Sequence, residues 1–135
     1  MKVAVVYAST TGNTEAMAQA AVEGATAAGR EAVLVTAESA DVQDVLSADL
    51  ILLGSPAMGD EVLEDSMEDF FTKIEGSLSG KKVGLFGSYD WGDGKWLTDW
   101  EERVTSVGAV LTGSVKAHLS PDDEAQAAMK KLAGE

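Results

Sequence analysis

The chain has 135 residues, 45% of them apolar and 24% charged, which suits one soluble domain spanning 1–135 and excludes two independently folded α/β units. It has no cysteine and a single histidine, His118, which excludes disulfides, thiolate chemistry, iron–sulfur clusters, cysteine-bound zinc and any two-histidine mechanism. Ten Lys and Arg against 23 Asp and Glu give a net charge of −13, which argues against a nucleic acid or an anionic membrane as partner and suits basic protein surfaces.

Apolar runs alternate with amphipathic segments along the chain. Val3–Ala8 is a short, nearly continuous apolar run that reads as a strand rather than a signal peptide, and no run reaches membrane-spanning length, so the cytoplasm is the expected compartment. Residues 13–28 follow a helical pattern, with Ala16, Met17, Ala20, Ala21 and Ala25 on one face and Gly29 as the stop. A second strand is expected at 32–36, a helical turn at 42–46, and a strand at 49–54 containing Leu50-Ile51-Leu52-Leu53. Residues 64–74 carry Met67, Phe70, Phe71 and Ile74 at helical spacing, preceded by Leu63. A strand at 82–87 precedes a helix at 96–107 whose stripe is Leu97, Trp100, Val104 and Val107. Residues 109–111 and 114–117 read as a last, interrupted strand. In the final helix Ser120 is the expected cap, Pro121 fits the first turn, and Asp122, Asp123 and Glu124 suit the positive end of the dipole.

Five strand–helix units with strands apolar on both faces predict an α/β fold, a doubly wound five-stranded parallel sheet with helices on both faces. At this length the simplest strand order is 2-1-3-4-5. Ligands of such sheets sit beyond the carboxyl ends of the strands where the winding reverses, so the loops after strands one, three and four carry the interest.

The first of these, Ser9-Thr10-Thr11-Gly12-Asn13-Thr14, holds four hydroxyls, an amide and a glycine at a helix N-terminus, with no Lys or Arg. It has neither P-loop nor GxGxxG spacing. Free N–H groups and the helix dipole there favour an anion, and the absent cation suits one terminal phosphate better than a triphosphate with magnesium. A plain helix cap is the competing reading, although a cap needs one hydroxyl. The second loop, Gly54-Ser55-Pro56-Ala57-Met58-Gly59-Asp60-Glu61, sets an apolar, polarizable methionine beside a glycine, where a turn with Met58 tucked inward is the competing reading. The third, Ser88-Tyr89-Asp90-Trp91-Gly92-Asp93-Gly94, sets two aromatics among glycines and aspartates, where a flat partner or a packed aromatic corner would account for them. Together the loops describe one ligand, with a phosphate at one end and a flat ring that Met58 and Trp91 can sandwich. Trp100, on its helix stripe, reads as core; Trp96 is placed to pack behind the third loop.

The motifs STTGNTE at 9–15, AMGDE at 57–61 and GSYDWGDGKW at 87–96 resemble those of the flavodoxins, small electron carriers that hold one FMN, and the resemblance covers nearly the whole chain. Flavodoxins are themselves an example of the switch-point rule. The resemblance implies a short-chain, flavodoxin-like fold and a low-potential one-electron carrier that is monomeric, is not itself an enzyme, and serves redox proteins with basic surfaces. It implies that Ser9, Thr10, Thr11, Gly12, Asn13 and Thr14 hold the phosphate, that Met58 covers the inner ring face and Trp91 the outer, and that Glu61 accepts from the ring N3–H. It further implies that the Gly59–Asp60 peptide flips on one-electron reduction, stabilising the neutral semiquinone, while Asp60, Glu61, Asp90 and Asp93 disfavour the anionic hydroquinone. The sequence departs from the pattern at Thr10 and Asp90, where close relatives carry glycine, and at Pro56-Ala57, which brings no hydroxyl.

An FMN-dependent quinone or nitro-compound reductase on the same fold is the main alternative; no insertion that would build a second substrate pocket is visible. A phospho-acceptor receiver domain would need an acidic pair after strand one and an aspartate after strand three, where this chain has Ser9-Thr10 and Gly54-Ser55. A flavin-free structural domain would give a colourless protein. Glu64, Asp65, Glu68 and Asp69, with Asp60 and Glu61, are expected to form an acidic rim beside the ring edge.

Overall fold

The computed structural model describes residues 1–8, 12–58, 62–89 and 94–134. In chain order the elements are β1 (Lys2–Tyr7), α1 (Asn13–Ala27), β2 (Glu31–Thr36), α2 (Val42–Leu46), β3 (Leu50–Gly54), α3 (Asp65–Glu75), β4 (Lys82–Tyr89), α4 (Lys95–Ser106), β5 (Val110–His118) and α5 (Asp123–Gly134). The strands form one parallel sheet in the order β2-β1-β3-β4-β5. This is the expected doubly wound arrangement.

The alternation of side chains along each strand divides the core in two. Ala4 and Val6 of β1, Ile51 and Leu53 of β3, and Val83 and Leu85 of β4 face one side, where Val45 of α2, the apolar stripe of α3 and Trp96, Trp100 and Val104 of α4 cover them. Val3, Val5, Leu50, Leu52 and Phe86 face the other side, against Met17, Ala18, Ala21 and Ala25 of α1 and Met129 and Ala133 of α5. The central strand β3 is buried along its whole length, which is why its sequence is an unbroken run of large aliphatic residues. Leu34 of the edge strand β2 is 37% exposed.

Three local expectations are corrected. The last strand is continuous. Val83 pairs with Leu111 and Gly84 with Gly113, so Thr112 is an extra residue, a bulge rather than a break. The cap of α5 is Asp122, whose carboxylate accepts from Ala125 N at 2.8 Å; Ser120 and Pro121 precede the helix. Finally, β4 runs on to Tyr89, because β5 extends alongside and pairs Ser88 with Ala117 and Tyr89 with His118. Among the described residues no helix is long and apolar enough to cross a membrane.

Candidate cofactor site

β1 and β3 are adjacent, but their connections leave toward opposite edges of the sheet, so a crevice opens beyond their carboxyl ends. Tyr7 lies opposite Gly54, and Gly54 opposite Phe86. Past the strands, Ala8 N donates to the Gly54 carbonyl at 2.9 Å and Ala57 N to the Ser88 carbonyl at 2.9 Å. The roots of the three loops singled out by the sequence are thereby brought together. Ser9, Thr10, Thr11, Gly59, Asp60, Glu61, Asp90, Trp91, Gly92 and Asp93 lie outside the described residues. Their flanks are described.

Gly12 is the N-cap of α1, in the left-handed region at φ 90°, with no side-chain cap hydrogen bond. Among the described residues nothing lies within 4 Å of where a Cβ would be. Asn13 begins the helix, half-buried. Thr14 is 1% exposed, and its hydroxyl is hydrogen-bonded to that of Ser88 at 3.1 Å. This bond ties the start of α1 to the end of β4. Tyr7 donates its hydroxyl to Glu15 Oε2 at 3.2 Å. Burial, then the neighbouring Glu15 carboxylate, pushes the Tyr7 phenol above its ordinary pKa.

In the second loop Ser55 is fully buried. Its hydroxyl donates to the Pro56 carbonyl and accepts from Glu64 N, both at 2.9 Å, so its one proton is committed inside the loop. Met58 and Val62 exchange two backbone hydrogen bonds, 2.9 and 3.0 Å, as an antiparallel bridge. The bridge anchors both ends of the segment carrying Gly59, Asp60 and Glu61. Met58 is half-buried and Val62 is 55% exposed.

Tyr89, expected in the third loop, instead ends β4. Its ring packs against Trp96 at 5.7 Å and His118 at 5.2 Å between centroids, an aromatic corner at the root of the third loop. Trp96 was legible only as packing behind this loop. It is 1% exposed and donates its indole N–H to the Ser55 carbonyl at 3.1 Å, binding α4 to the second loop. Gly87 makes that closeness possible. A Cβ there would sit 2.0 Å from the Ser55 carbonyl oxygen and 2.9 Å from the Trp96 ring. The glycine in the GSYDWG motif was the available signal for this contact.

Four members of the expected acidic rim lie among the described residues. Asp65 and Asp69 are exposed, but Glu64 caps α3 by accepting from Ser66 N at 3.0 Å. Glu68 forms a two-pronged pair with Arg103, at 2.7 and 2.9 Å. The hydrogen bonds from Arg103 hold the Glu68 carboxyl below its usual range, against a smaller opposing effect of burial. Arg103 also reaches Glu75 at 3.4 Å and lies over the Phe71 ring at 4.8 Å.

A helix N-terminus, a hydroxyl-rich sequence before it without cations and a half-exposed thioether at a switch point fit a mononucleotide-type site. They fit a group that is a phosphate at one end and a flat ring at the other. The flavodoxin family model matches residues 5–131. The chain is 50% identical over 122 residues to the flavodoxin of Megasphaera elsdenii, covering 90% of this chain and 89% of that one. It is 43% identical over 123 residues to that of Clostridium beijerinckii, with the same coverage. Its fold superposes on the solution structure of two-electron reduced Megasphaera elsdenii flavodoxin with a TM-score of 0.91, at 46% identity over 98% of both chains. The chain belongs to the flavodoxin family, whose members are electron carriers that bind FMN.

Proposed function

We propose that this chain is a low-potential one-electron carrier whose FMN cycles between the neutral semiquinone and the anionic hydroquinone, one flavodoxin-like unit over residues 1–135, working as a monomer in the cytoplasm and not as an enzyme on its own. The observation that carries the reading is the convergence of the three loop roots at the switch point, with the N-terminus of α1 beside them. FMN supplies a ring that accepts electrons singly. Ser9 to Thr14 would hold its phosphate at the helix N-terminus, Met58 and Trp91 would cover the two ring faces, and Glu61 would accept from the pyrimidine edge. Thr14 is fixed by Ser88. Ser55 supports the second loop from behind through Glu64 and Pro56, and Pro56 and Ala57 bring no hydroxyl in its stead.

The electrostatics favour a low second potential. Each carboxylate roughly 10 Å from the ring disfavours an added negative charge by about 1–2 kcal/mol at an effective dielectric near 20. Asp60, Glu61, Asp90 and Asp93 all belong to loops that begin at the crevice. Their field, with that of exposed Asp65 and Asp69, attracts redox partners that present basic surfaces. Stepwise reduction of the FMN-loaded protein followed by absorption tests the reading. Two separated one-electron steps with a blue neutral radical between them are expected. A single two-electron step, or rapid oxidation of NAD(P)H by a quinone acceptor, would overturn it in favour of a reductase.

A further inference from the structure

Three polar side chains are buried among the described residues, Thr14, Ser55 and Ser88, and all three stand at the roots of the loops that meet at the switch point. Ser55 is fully engaged, since its proton goes to the Pro56 carbonyl and its oxygen accepts from Glu64 N. Thr14 and Ser88 differ. A hydroxyl carries one proton and two lone pairs. The pair therefore holds two protons, and the 3.1 Å bond between the oxygens uses one of them. Neither hydroxyl forms another hydrogen bond among the described residues. One buried O–H is left without an acceptor, a condition that folded proteins avoid. The bond length does not say which oxygen donates, because either atom could.

The elements supply the direction. Thr14 is the second residue of α1, two after the N-cap Gly12, at the positive end of the helix, where an anion is favoured. Ser88 stands two residues after Phe86 on β4 and so faces α1 from the same side of the sheet. Its backbone is held there by pairing with Ala117 and by the hydrogen bond from Ala57 N to its carbonyl. A phosphate has lone pairs to offer and, as the dianion, no proton. Toward such a group Thr14 must donate, which leaves it only lone pairs for Ser88. We propose that Ser88 is a positioning residue for the phosphate end of the cofactor: its O–H donates to Thr14 and turns the Thr14 proton toward the N-terminus of α1. Both protons then have acceptors, and a hydroxyl that accepts one hydrogen bond donates the next more strongly. The pair thereby favours an end group that only accepts over the hydroxyl in which riboflavin ends. The proposal rests on the FMN reading and adds to it a residue of β4 that acts on the phosphate rather than on the ring.

Titrations of the flavin-free protein with FMN and with riboflavin, followed by flavin fluorescence, measure the effect. Ser88→Ala should weaken FMN binding by about fivefold, the worth of one hydrogen bond, and change riboflavin binding by less than about twofold. Thr14→Val should lose more, roughly tenfold or above, because a donor to a charged oxygen is gone. Adding Ser88→Ala to Thr14→Val should cost nothing further, since Ser88 acts only through Thr14. Thr14→Ser keeps the hydroxyl and should keep the affinity. In the FMN-loaded protein the phosphorus NMR signal of the bound phosphate should shift in Ser88→Ala.

A bond that merely ties α1 to β4 would weaken both flavins by the same factor and leave the phosphorus signal in place, and that result would overturn the proposal. A larger loss in Ser88→Ala than in Thr14→Val would overturn the order of the two donors. Wild-type protein that binds FMN, with Ser88→Ala unchanged in FMN affinity and phosphorus signal, would overturn the proposal alone. Wild-type protein that binds neither flavin would overturn the function reading itself.

Discussion

Trp96 and Trp100 are both 1% exposed and lie one helical turn apart on α4, yet their indole N–H groups fare differently. That of Trp96 meets the Ser55 carbonyl at 3.1 Å. That of Trp100 has no hydrogen-bond partner among the described residues, and its ring meets Phe71 edge to face at 5.9 Å and 87°. Replacement by Phe removes a similar volume from each site, so the cavity costs largely cancel in the comparison. The Trp96 change also leaves a buried carbonyl without its donor, which costs about 1–3 kcal/mol. Trp96→Phe is therefore expected to destabilise the protein by at least about 1 kcal/mol more than Trp100→Phe. Urea midpoints at unchanged slope would measure the difference. Equal midpoints would show that the Ser55 bond contributes nothing. At this scale the sequence identified Trp100 as core from its position on the stripe. It could not reveal the Trp96 bond, because a 41-residue separation between donor and acceptor leaves no local trace.

Between elements, Arg103 joins α4 to α3 through Glu68 and Glu75 and by stacking on Phe71. The pair is partly exposed, with Glu68 44% accessible, so its worth is set by the two-pronged geometry and the stacked guanidinium rather than by charge alone. Arg103→Met is expected to cost about 1 kcal/mol and to change the acid side of the stability profile. Glu68 titrates lower in the folded protein than in the unfolded chain because Arg103 donates to it. The stabilisation is thus present above the unfolded carboxylate pKa and is lost as pH falls through the lower, folded value. Removal of Arg103 should flatten that acid limb, which thermal melts between neutral pH and the acid transition would show. An unchanged limb would contradict the assigned cause.

The order of the elements was readable because burial on both faces imprints apolar runs on the strands, and an amphipathic stripe marks each long helix. Their ends were less so. Ser120 and Asp122 are both acceptable caps, and the choice falls to Asp122 after the turn at Leu119. There a non-glycine residue takes φ 62° while its N–H bonds to the Tyr89 carbonyl at 2.8 Å. Tyr89 itself was read as loop from its glycine- and aspartate-rich neighbours, and a partner strand 29 residues later holds it in the ladder. The loops of the site were legible as motifs, and their meeting followed from the strand order. The hydroxyl pair of Thr14 and Ser88, separated by 74 residues, had no signature in either motif.

Across the whole molecule the dominant quantity is the net charge of −13. Self-repulsion of that size opposes the compact state and is screened by salt, with a Debye length of about 10 Å at 0.1 M. The midpoint of thermal unfolding should therefore rise between low salt and about 0.5 M sodium chloride, where the Debye length is roughly halved. Over the same range, electron-transfer rates with a cationic partner protein should fall. A stability that declined with salt would mean that attractive surface pairs such as Lys95–Asp99 and Lys130–Glu23 outweigh the repulsion.

The bulge at Thr112 lies on a strand whose outer side is unpaired in this sheet. A straight, flat rim of amide and carbonyl groups is a template on which a twin molecule can add a further strand. One surplus residue coils the rim and breaks its regular spacing. A single supernumerary threonine thereby makes the rim a poorer seat for a second copy of the chain than an unbroken strand would be.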